Sequence, residues 1–300
     1  MFNSSSAVGV AWKKKYFGEG AERLVCEFRE IDRTWKFVGP ALVGKESRFV
    51  YMHDDGDQKR FNRKFLKTQH LSSKFASRFN QKLQEIPGID PEVTPRIKFL
   101  DCSTFMITHP DRGRIGLLVE RMLDIKTFAY QKWNSNDGRV IAGGNFQELS
   151  RFKISNRNIN NSKLENILEE ENEEEPKEDE ETFSDRDKFP VGDVAQAFSC
   201  FTYYSSRRRL LVCDLQGVYN YEHSPPTFEL TDPVIHYRAF RHNHRQFGRC
   251  DRGIEGMHDF FASHKHNKIC QMINSTWINI DDDEICELES NLSGNRQWYD

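Results

Sequence analysis

Eight residues constrain this chain more than any others: Leu211 to Val218, reading Leu-Val-Cys-Asp-Leu-Gln-Gly-Val. Leu210 to Cys213 form an apolar run that gives way at once to Asp214, Gln216 and Gly217, the pattern of a buried strand delivering polar groups at its end. Asp214 and Gln216 stand two apart, so on an extended chain they project to one side. A carboxylate and a carboxamide leaving a buried strand together need partners, because desolvating them unpaired is unfavourable. A hard cation, a phosphate-bearing ligand or a hydroxyl awaiting deprotonation would serve, and so would a turn that the two groups simply cap.

The rest of the chain supplies a frame for that strand. At 300 residues it is long enough for two lobes. The net charge of -3 hides a segment from Glu169 to Glu181 in which ten of thirteen residues are acidic. Without it the remainder is about six charges positive, mild enough to suit an anionic ligand without identifying one. No apolar run reaches the length of a membrane span and Met1 to Val10 lacks an apolar signal core, so the expected setting is cytoplasmic, with no membrane partner. Seven scattered cysteines do not form a disulfide framework. No repeated finger spacing or strongly basic stripe supports a nucleic-acid partner.

In chain order, the first dozen residues read as disordered or loosely attached. Gly18 and Gly20 form a turn opening into a strand at Leu24–Phe28, and closely spaced glycines let backbone N–H groups approach a phosphate. Ala41 to Lys45 is a second strand that ends on a lysine, a point charge suited to a nucleotide phosphate or to a plain strand edge. Arg60 to Gln84 is the strongest helical stretch, with Phe61, Phe65, Phe75, Phe79 and Leu83 on one apolar face and a basic solvated face. Phe105–Ile107 and Ile115–Glu120 read as paired strands across the Pro110–Gly113 turn, with Glu120 at a hinge between lobes. About residues 150–188 the chain turns Asn-rich, then acidic, the composition of a disordered insertion. A helix follows at Val194–Phe201, then the opening strand, Thr231-Asp232-Pro233, and a helix carrying Ile254, Met257, Phe260 and Phe261. His264, His266 and Cys270 lie within seven residues, a density of ligands that suits tetrahedral zinc. Three ligands leave the fourth position open or completed from elsewhere.

Taken in order, these motifs resemble the alpha-kinase family, the atypical protein kinases that include myosin heavy chain kinase and elongation factor 2 kinase. The resemblance rests on Phe17 to Ala21, Lys45, Phe79-Asn80, Lys132 to Gly138, Gln196 to Cys200, Asp214 to Val218, Thr231-Asp232-Pro233 and Phe260 to Cys270, and covers roughly residues 10–275. It implies an α+β, two-lobed, protein-kinase-like fold: a nucleotide-binding lobe over about 10–120, a second lobe over about 121–275 holding a structural zinc, and a flexible tail at 276–300. The implied activity is transfer of the ATP gamma-phosphate to a serine or threonine of a protein substrate, with ATP and Mg2+ bound. Asp214 would orient or deprotonate the acceptor hydroxyl, and Gln216 and Asp232 would hold magnesium. Lys45 would meet the phosphates beneath Gly18 and Gly20, and Glu120 would lie at the adenine hinge. Positioning and charge neutralisation suffice for this chemistry. Because the basic helix offers no carboxylate, Gln69 is expected to face the site in place of the usual glutamate.

Departures from the family pattern set further expectations. Its zinc histidine is Cys200 here and one of its cysteines is His266, so the implied zinc set is Cys200, His264, His266 and Cys270. Extra residues, including Pro225-Pro226, separate Gly217 from Thr231; if they bulge outward Asp232 still reaches the metal, and otherwise metal binding is impaired. The loop from Gly248 to Gly253 lacks the family's middle glycine and asparagine, which bears on peptide-substrate binding. The competing expectation is therefore an inactive pseudokinase serving as a zinc-stabilised scaffold.

Overall fold

The computed structural model describes residues 4–49, 55–86, 90–141, 191–239 and 245–275, with side chains of the long helix described from Asn62 onward. Phe61's side chain, the acidic segment and residues 276–300 lie outside the described residues.

The first sheet is antiparallel and built around two long strands. β1 (Gly9–Trp12), β3 (Arg23–Ile31), β4 (Phe37–Ser47), β7 (Gly113–Arg121) and β6 (Cys102–His109) lie side by side in that order, and β2 (Gly18–Glu19) folds onto β3. The expectation of a loose N-terminus is corrected here: Gly9–Trp12 pairs residue by residue with Phe28–Ile31. Alternation explains the sheet's core, since Phe28, Leu42, Ile115, Leu117 and Val119 bury against one another while their neighbours face away.

α1 (Asp55–Glu85) follows β4. Its buried side chains recur at helical spacing, including Phe65, Leu71, Phe75, Phe79 and Leu83. Phe79 meets Phe198 and Phe201 edge-on, with ring centroids 5.5 Å apart in both pairs. This face joins the second and larger core rather than the first.

That second core is covered by β5 (Arg96–Phe99), β11 (Thr227–Thr231), β10 (Gln216–Asn220) and β8 (Tyr130–Lys132), one sheet in that order, and by the pair β12 (Val234–Tyr237) and β9 (Leu210–Cys213). α2 (Val191–Ser205), α3 (Ile254–Ser263) and α4 (Lys268–Ser275) complete it. β5 lies between α1 and β6 in sequence, yet it pairs in parallel with β11 in the second sheet. The extra residues before Thr231 resolve into a hairpin: β10 and β11 pair from Gln216↔Thr231 to Asn220↔Thr227. The turn carrying Pro225 and Pro226 is therefore at the far end, away from Asp214 and Asp232. Gly217 is obligatory in this hairpin, because at φ 151 a Cβ there would overlap the Glu229 backbone.

Candidate active site and a cysteine-histidine cluster

Two carboxylates stand at the start of the second sheet, each on a residue in the left-handed region, Asp214 at φ 58 and Asp232 at φ 53. The hairpin register brings them together: Asp214 precedes β10, Asp232 follows β11, and Gln216 pairs with Thr231 between them. Gln216 Nε2 donates to Asp214 Oδ2 at 3.0 Å. The same-side arrangement expected from two-residue spacing thus arises from a turn at Asp214, not from an extended strand.

The two acids sit in different fields. Asp214 is 7% exposed and pairs with Lys132 of β8, Nζ to Oδ1 2.5 Å. Burial nevertheless pushes its carboxyl up to about 6, with Lys132 opposing the shift. Asp232 also feels burial as an upward push, but Arg23 and Lys45 outweigh it and hold the carboxyl at about 2. Arg23 ion-pairs with Asp232 and stacks over Phe65 of α1, 3.1 Å from the ring centroid.

Lys45, 4% exposed, is the hub of this cluster. Its Nζ ion-pairs with Glu120 and with Asp232 Oδ1 at 2.8 Å, and donates to Thr231 Oγ1 at 2.7 Å. Thr231 in turn donates to Glu120 Oε1 at 2.6 Å. Burial acts against the lysine's charge, yet Asp232 and Glu120 raise its pKa. A lysine–glutamate pair does form, supplied by Glu120 of β7 instead of by a helix residue. The buried Gln69 amide donates to the Leu100 carbonyl at 2.6 Å.

Gly18 and Gly20 lie in the β2–β3 hairpin, where Gly18 pairs with Val25 and the Gly20 N–H donates to the Arg23 carbonyl at 2.8 Å. The glycine turn therefore delivers Arg23 to the site. The altered loop from Gly248 to Gly253 is organised by Asp251, whose carboxylate accepts the N–H groups of Tyr237 and Gly253 at 3.0 Å and of Phe247 at 3.3 Å.

Sequence reasoning missed Arg23, Lys132 and Thr231 as site residues. Lys132 and Thr231 stood inside quoted motifs without a role. Arg23 gave no local signal, since its partner is 209 residues away.

A second constellation gathers where α2 packs against the α3–α4 connection. Cys200, His264, His266 and Cys270 place one ligand atom each within 4.8 Å of one another. Cys200 Sγ lies 3.6 Å from His266 Nδ1, and Cys270 Sγ lies 3.5 Å from His264 Nε2. Asn267 holds the geometry, accepting the Cys270 N–H at 2.9 Å and donating to the Asp193 carbonyl of α2 at 2.8 Å. Two thiols and two imidazoles converging in this way are a donor set that fits a tetrahedral metal.

A two-lobed α+β fold with a buried lysine–glutamate pair facing two carboxylates defines a domain of the protein-kinase-like class. Comparison with known proteins gives the family. The alpha-kinase family model matches residues 18–157 and 165–270. Among relatives, the alpha-protein kinase vwkA of Dictyostelium discoideum is 24% identical over 263 residues, 87% of this chain and 30% of vwkA. Mouse eukaryotic elongation factor 2 kinase is 40% identical over 81 residues, 27% of this chain and 10% of that protein. The crystal structure of the alpha-kinase domain of myosin heavy chain kinase A in complex with AMP superposes with a TM-score of 0.56 at 19% identity, covering 88% of this chain and 90% of that one. The chain belongs to the alpha-kinase family. It spans less than a third of the length of these curated relatives.

Proposed function

We propose that this chain is a magnesium- and ATP-dependent protein kinase that phosphorylates serine or threonine, with Asp214 as the group that receives the acceptor proton. The observation that carries the reading is the contrast between the two acids: Asp214, raised to about 6, is poised to accept a proton near neutral pH, while Asp232, held at about 2, stays charged. The related domain of myosin heavy chain kinase A has been crystallised with AMP, ADP and, in an inactive variant, ATP.

In this reading Lys45, Arg23 and Lys132 supply positive charge around the phosphates, and the Gly18–Gly20 hairpin covers them. Gln216 and Asp232 are the residues that would hold magnesium, which when bound screens the charge of the phosphate oxygens. Glu120 keeps Lys45 charged and fixes its position from β7. Gln216 orients Asp214 through its amide. The intact hairpin between Asp214 and Asp232 supports activity over a scaffold role.

Zinc is the proposed occupant of Cys200, His264, His266 and Cys270. A closed four-ligand set stabilises a fold instead of catalysing, here by tying α2 to the α3–α4 connection. The described cysteines are all free thiols, which fits a reducing compartment and makes the cytoplasm the proposed setting.

Purified protein incubated with labelled ATP, Mg2+ and a basic model protein should transfer label to serine or threonine. Asp214→Asn should lower kcat by roughly 10²–10⁴-fold with ATP binding retained by calorimetry. A folded, zinc-loaded protein that neither transfers label nor autophosphorylates sinks the kinase reading, and absence of thermal stabilisation by Mg-ATP as well would favour the scaffold. Elemental analysis should find one zinc per chain, lost in Cys200→Ser and His266→Ala; full retention in both refutes the zinc assignment.

A further inference from the structure

Leu215, between Asp214 and Gln216, is fully buried, and both its backbone polar groups are held by one neighbouring segment. Its N–H donates to Asn134 Oδ1 at 2.9 Å, and its carbonyl accepts the Trp133 N–H at 2.8 Å. Asn134 is itself 0% exposed. Its amide nitrogen donates to Ser199 Oγ at 3.0 Å and Gln196 Oε1 at 3.3 Å, both on α2.

Donor and acceptor rules fix every member of this set. The Trp133 carbonyl can only accept, so the group facing it at 2.7 Å is Gln196 Nε2. Gln196 Oε1 must then face Asn134 and accept from its amide nitrogen. That leaves Asn134 Oδ1 as the oxygen available to the Leu215 N–H. A flipped Asn134 would set N–H against N–H in a buried site, where an unmade hydrogen bond costs about 1–3 kcal/mol.

The clamp matters because of what it neighbours. Asp214 holds a left-handed backbone, a conformation that costs a non-glycine residue about 1–2 kcal/mol and persists only where its surroundings enforce it. β9 fixes the chain before Asp214 and β10 fixes it from Gln216 onward, so the Leu215 peptide is the remaining freedom. We propose that Asn134, oriented by Gln196 and Ser199, is a positioning residue for phosphoryl transfer: it locks the Leu215 peptide and thereby aims Asp214 at the acceptor hydroxyl. This inference rests on the kinase reading above. It also gives α2 a second task, because Ser199 adjoins Cys200 of the cysteine-histidine cluster.

The test compares wild type, Asn134→Ala and the milder Ser199→Ala, each full-length and zinc-loaded, by kcat and KM for ATP per folded molecule and by amide hydrogen exchange at Leu215. A misaimed group loses on the order of 10²-fold. Asn134→Ala should therefore lower kcat by about that factor, with KM for ATP within about twofold because Lys45 and Asp232 do not touch Asn134, and with faster exchange at Leu215. Ser199→Ala should show a smaller loss of the same kind while folding normally. An active wild type with kcat unchanged in a folded Asn134→Ala, or with the loss carried entirely by KM, overturns the positioning role alone. A folded wild type that transfers no phosphate overturns the kinase reading and this role with it.

Discussion

Lys45, Glu120 and Thr231 close a hydrogen-bonded ring, and Asp232 joins it through Lys45, so each carboxylate depends on the lysine. Removing the lysine alone leaves Glu120 buried without its cation, and breaking such a pair costs about 3–5 kcal/mol. Lys45→Met should lower unfolding stability by that order, and Lys45→Met with Glu120→Leu should recover part of it; equal losses in both, by urea denaturation, would show that the ring contributes no coupling. His236 sets a pH limit on stability. It is fully buried against Gly256, and burial, reinforced by Arg252 and opposed by Asp137 and Asp259, lowers its pKa from 6.5 to about 4. The unfolded chain therefore takes up a proton that the folded chain refuses. The contribution is full above pH 6.5 and is lost as pH falls toward 4, by roughly 3 kcal/mol. Urea midpoints measured from pH 7 to pH 4 should show this slope, and His236→Gln should flatten it.

At the scale of elements, α1 shows how apolar spacing becomes stability. Phe79 is 0% exposed and wedges between Phe198 and Phe201, so Phe79→Ala should cost about 3–5 kcal/mol; an unfolding curve displaced by less than about 1 kcal/mol would mean the site collapses around the loss. This helix was legible because 3.6-residue periodicity is a local property, as it is for α2, and β4, β7 and β9 were legible from apolar runs that are equally local. β1 was not legible: four residues carry little alternation, and what orders them is the edge of β3. Nor was the hairpin after Gln216, whose strands are short and whose turn is set by pairing. At the site, Lys45, Asp214, Gln216 and Asp232 were readable from strand ends and motif order. Arg23 and the pairing of Glu120 with Lys45 were not, because an ion pair between distant strands leaves no periodic trace. The cysteine-histidine set was readable only in part from spacing, since Cys200 lies on a separate helix.

Across the whole molecule, the chain does not finish one lobe before starting the next. β1 to β4 build the first sheet, α1 and β5 enter the second core, β6 and β7 return to the first, and the described elements from β8 onward belong to the second. A fragment ending near Arg121 should for this reason be insoluble or aggregate when expressed alone, with β5 and the apolar face of α1 uncovered; a soluble, cooperatively folded fragment would contradict the interleaving. The parallel ladder of β5 with β11 also bears on the order of events in folding. Arg96 must wait for Thr227, and closing so long a loop is entropically slow until other contacts have drawn its ends together. During synthesis β5 emerges well before its partner, so the nascent chain has to keep this edge strand from pairing elsewhere until β11 has left the ribosome.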